Sequence, residues 1–378
     1  MTTTTENAHG LAVGTPAIRS LGALAFGPDG VLFVADNVSA TIFAIDTRDE
    51  AVAGELRPLD IAQLDTRLAA YLGCSREDVL IRGMAVHPAS QVVYLSVTRG
   101  AGASAVPVIV QVAQDGTLSE LALDGVPFSQ TNIEDAPAED DDRTDWRRVQ
   151  GNREGEIATR RDGTQMRVAH DPFHTITVTA MAYLPRKADW TVHGQLLVAG
   201  ASNEEFSSVF RRIPFPFKKA TQKTALEIYH VNHGQYETIS PIRTFVPYAN
   251  GTSILASYTC TPIVHFSLND LQPGTQATGR TVAELGGGST PVGMVSYTHD
   301  GDEYLLVANS GLPLVKIACK DIDAQAALTE PRQPEGVARQ ALHEGVSQIA
   351  NLNAAYVLML EEDNEGNTNL RSYPTASL

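Results

Sequence analysis

The chain has 378 residues, 43% hydrophobic and 19% charged, the balance of a globular protein with material for an ordinary core. Its 44 acidic residues exceed 28 basic ones by 16, which argues against nucleic acid or an anionic membrane as partner, since both need clustered Lys and Arg. Three scattered cysteines give no disulfide framework or zinc ribbon, and no run approaches the ~20 apolar residues of a membrane span.

In chain order, residues 1–10 lack the basic and apolar regions of a secretory signal, so a soluble cytoplasmic location is expected. Residues 11–14 (LAVG) form a short apolar stretch suited to joining the last unit of the fold as a strand. Six segments then repeat one pattern: a small-residue strand, a turn, and a hydrophobic strand ending in small polar residues. The pairs are 23–26 with 31–35, 84–87 with 92–96, 180–183 with 195–199, 244–247 with 253–257, 293–297 with 304–308, and 345–349 with 355–359. In most units a third strand follows, at 41–45, 108–112, 226–229, 263–266 and 314–317. Asp-Gly pairs at 29–30, 115–116 and 300–301 sit between strands, where a hairpin wants residues tolerant of positive φ.

Short antiparallel strands in a repeating meander predict an all-β fold, a six-bladed β-propeller spanning residues 1–378 as one domain. Ala and Gly on the first strands let innermost strands converge on an axis. Seven blades result if residues 124–175 hide a degenerate unit, and an open β-sandwich or two smaller β domains is the competing architecture.

The segment FGPDGVLFVAD at 26–36, the following TIFAID at 41–46, and GMAVHP at 83–88 resemble the NHL-repeat and gluconolactonase (regucalcin)-like propellers. The resemblance is at the level of the repeat and implies a six-bladed propeller, often a metal-dependent hydrolase or lyase working at the channel mouth. The calcium-binding lactonases carry a Glu at the start of the first inner strand; here Ser20 and Leu21 stand there, so that ligand set does not transfer.

In a four-stranded meander the start of the first strand, the loop between second and third, and the crossover to the next unit share one face, here called the top. Long insertions fall mostly there. Residues 60–80 show helical apolar spacing. Residues 124–175, with the acidic run 139–142 followed by Arg143, Trp146, Arg147 and Arg148, form either a lid or a disordered polar loop. Residues 203–224 read as an extended loop between second and third strands.

Residues just before the inner strands should ring the mouth: Arg82, Thr179, Arg243, and Glu344 beside His343. The second-to-third-strand turns add Arg99, Asn203, Glu204, Cys260 and Asn309. Arginines facing one cavity suit a carboxylate or phosphate; otherwise they tie blades together through Glu344 or Glu204. Arg82, Arg99, Thr179, Asn203, Glu204, Arg243 and Asn309 are thus the expected substrate-binding set. His170 and His174, converging with His343 and Glu344, would hold a divalent metal, zinc or calcium. His343, Glu344 and Cys260 are the catalytic candidates, the cysteine as a nucleophile if its pKa is lowered. His230 and His233 with Glu237 offer a second metal-ligand spacing, expected at a bottom hairpin. His87 and His299 read as structural turn residues, and no motif for an organic cofactor is present. The function expected is a metal-assisted hydrolase or lyase acting on a small, anionic molecule at the top of the channel. The alternative is a non-catalytic ligand-binding or scaffolding propeller.

Overall fold

Hydrophobic strands separated by tight turns fold back on their chain neighbours. Thr290–His299 and Asp302–Ser310 are joined by Asp300 and Gly301 alone, with φ of 50° and 85°, both in the left-handed region that a two-residue hairpin of matching twist requires. In the computed structural model, which describes residues 9–100, 102–149, 155–160, 163–186, 194–218, 221–331 and 336–378, this pairing builds six antiparallel meanders among the described residues.

The first blade runs Leu24–Phe26, Val31–Asp36, Thr41–Asp46 and the second Val79–Val86, Val93–Arg99, Val106–Val112, Leu118–Glu120. The third is Ala180–Leu184, Gln195–Ala201, Ser208–Pro214, Gln222–His230, and the fourth Thr244–Tyr248, Ser253–Ser257, Pro262–Ser267, Gln276–Glu284. The fifth is Thr290–His299, Asp302–Ser310, Leu312–Ala318, Gln340–Ala341, and the sixth Val346–Asn351, Tyr356–Glu362, Thr368–Pro374. Their first strands touch one another in a closed cycle. The protein is an all-β propeller.

The order around the axis departs from the order in the chain. The first blade lies between the second and the third, and the second packs on the sixth. The inter-blade cores agree. Leu32, Val34 and Phe43 meet Tyr94 and Ile109; Phe33 and Ala35 meet Leu196 and Val198; Val93, Leu95 and Val110 meet Leu358 and Leu360. After the second blade the chain turns back, and Val126–Asn132 pairs with Thr41–Asp46 as the first blade's outer strand.

Residues 11–14, expected to close the last blade, do not. Ala12–Gly14 pairs with Val126–Asn132 at the rim of the first blade. Closure comes from residues 59–63: Ile61 exchanges backbone hydrogen bonds with Leu370, the amide of Leu59 donates to Ser372 Oγ and that of Gln63 to Asn369 Oδ1. The expected helix follows as Leu64–Leu72, burying Leu64, Leu68 and Leu72 between the second and sixth blades. Among the described residues no helix is long and apolar enough to cross a membrane.

Nor does 124–175 hold a degenerate blade. Beyond Val126–Asn132 it forms a separate sheet, Thr144–Arg148, Gln165–Pro172 and Glu156–Thr159 in that order, lying over the top of the ring.

Candidate functional site

Because inner strands all begin on one face, their first residues surround the axis. Ser20 to Ala23, Leu80 to Arg82, Thr179, Arg243, Thr290 to Val292, and Ser347 with Gln348 line one cavity of about 650 Å³. The separate sheet roofs it, adding Arg147, Arg148, Asp171 and Pro172 to the lining.

The roof is fastened by ion pairs that remove charge from water only where a partner waits, as buried charges require. Arg243, 7% exposed, donates through Nη2 to Asp145 at 2.7 Å and through Nη1 to Asp171 at 2.9 Å. Its Nε reaches Thr259 Oγ1 at 3.2 Å. Arg147 Nε spans both oxygens of Asp171, at 2.9 and 3.0 Å. Upstream, the fully buried Arg211 binds both oxygens of Asp135 and the carbonyls of Thr177 and Ala201. On the fifth blade, Arg160 donates to the Gly287 carbonyl, and a Cβ at Gly311 would overlap the Arg148 guanidinium. A glycine there lets the arginine lie flat against the backbone. The Arg148 amide donates to Thr290 Oγ1, and among the described residues its guanidinium has no carboxylate within ion-pair distance. Burial and the neighbouring Arg160 both hold its pKa below the usual value.

Of the expected binding residues, Arg82, Thr179 and Arg243 line this one cavity. Thr179 donates to the Ile242 carbonyl, tying the third blade to the fourth. Arg243 contacts neither Glu344 nor Glu204, the partners expected for a blade tie; Asp145 and Asp171, both from the insertion, take that place. Arg99 instead donates to the Leu72 carbonyl at the helix end. The amide of Asn203 bonds the Asp135 carbonyl, and Glu204 pairs with Lys223 at 2.5 Å; both serve the root of the insertion. Asn309 is buried, with Nδ2 on the Val307 carbonyl.

The expected metal set is not brought together. His170 is on the roof opposite Trp146, His174 is in the short helical turn Phe173–Ile176, and the His343 ring packs tilted against Tyr373, with centroids 4.3 Å apart. None of these, nor Glu344, lines the cavity. Nor does Cys260: it is buried, and burial with nearby Glu284, Glu237 and Asp145 pushes its thiol pKa up, the opposite of an activated nucleophile.

Cys260 keeps different company. Among the described residues, one group of three or more His, Cys, Asp or Glu brings its ligand atoms together at metal-binding separations: His230, His233 and Cys260. The histidines lie at the top, because Gln222–His230 is the fourth strand of its blade and ends there, not the third strand ending at the bottom. The true third strand, Ser208–Pro214, falls in the stretch read as a loop.

The charged lining residues that sequence alone did not assign to the mouth are Arg147, Arg148 and Asp171. The basic run beside Trp146 was a visible signal; its docking over the axis was not.

No family model matches the chain, and no curated protein matches it. Solved structures similar to it include a PQQ-bound aldose sugar dehydrogenase from Streptomyces coelicolor, with 12% identity and TM-score 0.36 over 96% of this chain and 98% of that one. A proposed oxidoreductase (glucose dehydrogenase) of Thermus thermophilus gives 13% and 0.35 over 96% and 100%. The β-propeller domain of Cps50 (Swd1) from Myceliophthora thermophila gives 11% and 0.38 over 94% and 84%. These likenesses are remote, and the strand pairing itself defines the class of protein: a β-propeller with a roofed axial mouth.

Proposed function

We propose that this propeller binds a small anionic molecule, a carboxylate or phosphate, in the roofed axial cavity. The observation that carries the reading is Arg148: a cationic side chain at the mouth, partly withdrawn from water and without a carboxylate partner among the described residues. In a chain of net charge −16, arginines outnumber carboxylates four to one among the described residues of this lining, with Arg82, Arg147, Arg148 and Arg243 against Asp171. A planar guanidinium presents paired donors to such anions, and a half-enclosed site strengthens the contact.

The alternative foreseen from sequence, binding without catalysis, is favoured over metal-assisted hydrolysis or elimination at this mouth. Asp171, the carboxylate of the lining, has its oxygens engaged by Arg147 and Arg243, which suits an anchor better than a base. The resemblance to gluconolactonase-like propellers supports a ligand at the channel mouth and supplies no catalytic residue here.

Calorimetric titration with small mono-, di- and tricarboxylates and phosphate esters tests this. One class should bind, with affinity falling as salt rises, and Arg148→Gln should weaken it by roughly 10- to 150-fold, equivalent to the 1.5–3 kcal/mol of a hydrogen bond to a charged group. Binding by neither class, or full affinity in the folded Arg148→Gln protein, refutes the proposal.

A further inference from the structure

Away from the axis, the cluster around Cys260 has the makings of a site of its own. His230 ends the outer strand of the third blade, and His233 follows in a turn whose amides, from 233 and 234, bond the His230 carbonyl. Cys260 sits in the tight turn between the second and third strands of the fourth blade. One ligand atom from each of the three lies within 4.8 Å of the others, a modest contraction away from the roughly 3.3–3.8 Å that tetrahedral Zn–N and Zn–S bonds impose.

Two carboxylates complete the arrangement. Glu237 takes both rings at once, its Oε2 2.8 Å from His230 Nδ1 and its Oε1 2.5 Å from His233 Nδ1. That fixes both imidazoles through Nδ1 and leaves Nε2 of each for another partner, the orienting role that a second carboxylate plays behind metal-bound histidines. His230 is 3% exposed, and its Nε2 has no hydrogen-bond partner. Glu284, 5% exposed, lies 3.4 Å from that nitrogen, and its Oε2 is likewise without a partner. In its neutral form His230, with Nδ1–H given to Glu237, turns the Nε2 lone pair toward Glu284, a costly meeting of two buried acceptors that a cation would relieve.

We propose that His230, His233 and Cys260 bind a divalent transition metal of the zinc type, with the buried Glu284 carboxylate beside His230 as counter-charge. Imidazole and thiolate favour zinc or cobalt over calcium or magnesium. One thiolate and one carboxylate neutralise the ion's two charges, and the Cys260 thiol proton together with the proton on His230 Nε2 passes to solvent on binding. Bound there, the ion joins the end of the third blade to the turn of the fourth. Thr259, next to Cys260, donates to Asp145, so the ion also braces the carboxylate that holds the roof. The site is separate from the axial cavity and does not depend on the anion-binding proposal.

The test uses the full chain, stripped with a chelator and titrated with Co²⁺. One equivalent should bind with a thiolate-to-cobalt charge-transfer band, and Zn²⁺ should displace it. Cys260→Ser should abolish that band. His233→Gln alters a half-exposed side chain, and should weaken binding at least tenfold while the metal-free protein melts as before. No charge-transfer band in the folded wild type, a band that survives Cys260→Ser, or unchanged affinity in His233→Gln overturns the assignment.

Discussion

Replacing Arg243 with Met keeps most of the side-chain volume and removes the charge that fastens the roof. Asp145, 6% exposed, would lose its 2.7 Å ion pair, keeping hydrogen bonds only from Ser240 and Thr259. Asp171 would keep Arg147 alone. Breaking a buried pair from one side costs about 3–5 kcal/mol, because the remaining charge stays desolvated. For 378 residues, roughly 2.1 cal/mol/K per residue gives an unfolding entropy of about 0.8 kcal/mol/K, so Tm should fall by about 4–6 °C if the loss is global. If instead only the roof lifts, the same free energy should appear as faster amide exchange across Thr144–Arg148 and Gln165–Pro172, with Tm nearly unchanged. Hydrogen-exchange mass spectrometry and calorimetry on the same variant separate these outcomes. The double variant Arg243→Met with Asp145→Asn should recover part of the loss, because no carboxylate is then stranded. Unchanged Tm together with unchanged roof exchange would refute the fastening role. So would a double variant whose cost equals the sum of the two single ones.

Ile61→Ala should destabilise the protein by about 2–5 kcal/mol and raise exchange in Thr368–Pro374, the strand that Ile61 caps. Deleting residues 1–16 should leave that strand's protection intact, and the reverse pattern would contradict the closure described above. His87 is buried, its Nδ1 accepting the amides of Ser90 and Ala89, and burial lowers its pKa below 6.5. The unfolded chain therefore takes up protons first, and stability should fall as pH drops through about 6.5 toward the lower folded value. His265, lowered by burial and Arg280, acts in the same direction. His87→Gln should flatten this part of a Tm-against-pH curve; an unchanged slope would place the titration elsewhere.

The paired inner strands were legible because each combines local alternation with its own turn, and both signals lie within a dozen residues. The ring order was not. Val126–Asn132 has no local feature that assigns it to the first blade, and its partner, Thr41–Asp46, lies some eighty residues upstream. The third strand of the third blade was hidden for another reason. Arg211 and Arg212 interrupt its apolar run, and Arg211 is admissible in a core only because Asp135, 76 residues away, meets it there. Missing that strand shifted the next by one place, which sent His230 to the wrong face and separated it on paper from Cys260. Arg82, Thr179 and Arg243 were traceable to one cavity because Thr179 and Arg243 immediately precede an inner strand and Arg82 lies in the first half of one, Val79–Val86, a property of position rather than residue type. His343 precedes one too, yet its ring packs against Tyr373, and side-chain direction is not written in strand position.

The swapped place of the second blade bears on how the chain is made. As synthesis proceeds, the second blade emerges well before the sixth, and its outer flank, with Leu59, Ile61, Leu64 and Leu68, is covered only when the sixth blade's strands have been made. The contact between Leu59 and Ser372 bridges 313 positions, and closing so long a segment is an entropic cost deferred to the end. Throughout translation that apolar flank stays open to solvent, and the nascent chain must be kept from pairing it with a neighbour until its own final blade arrives.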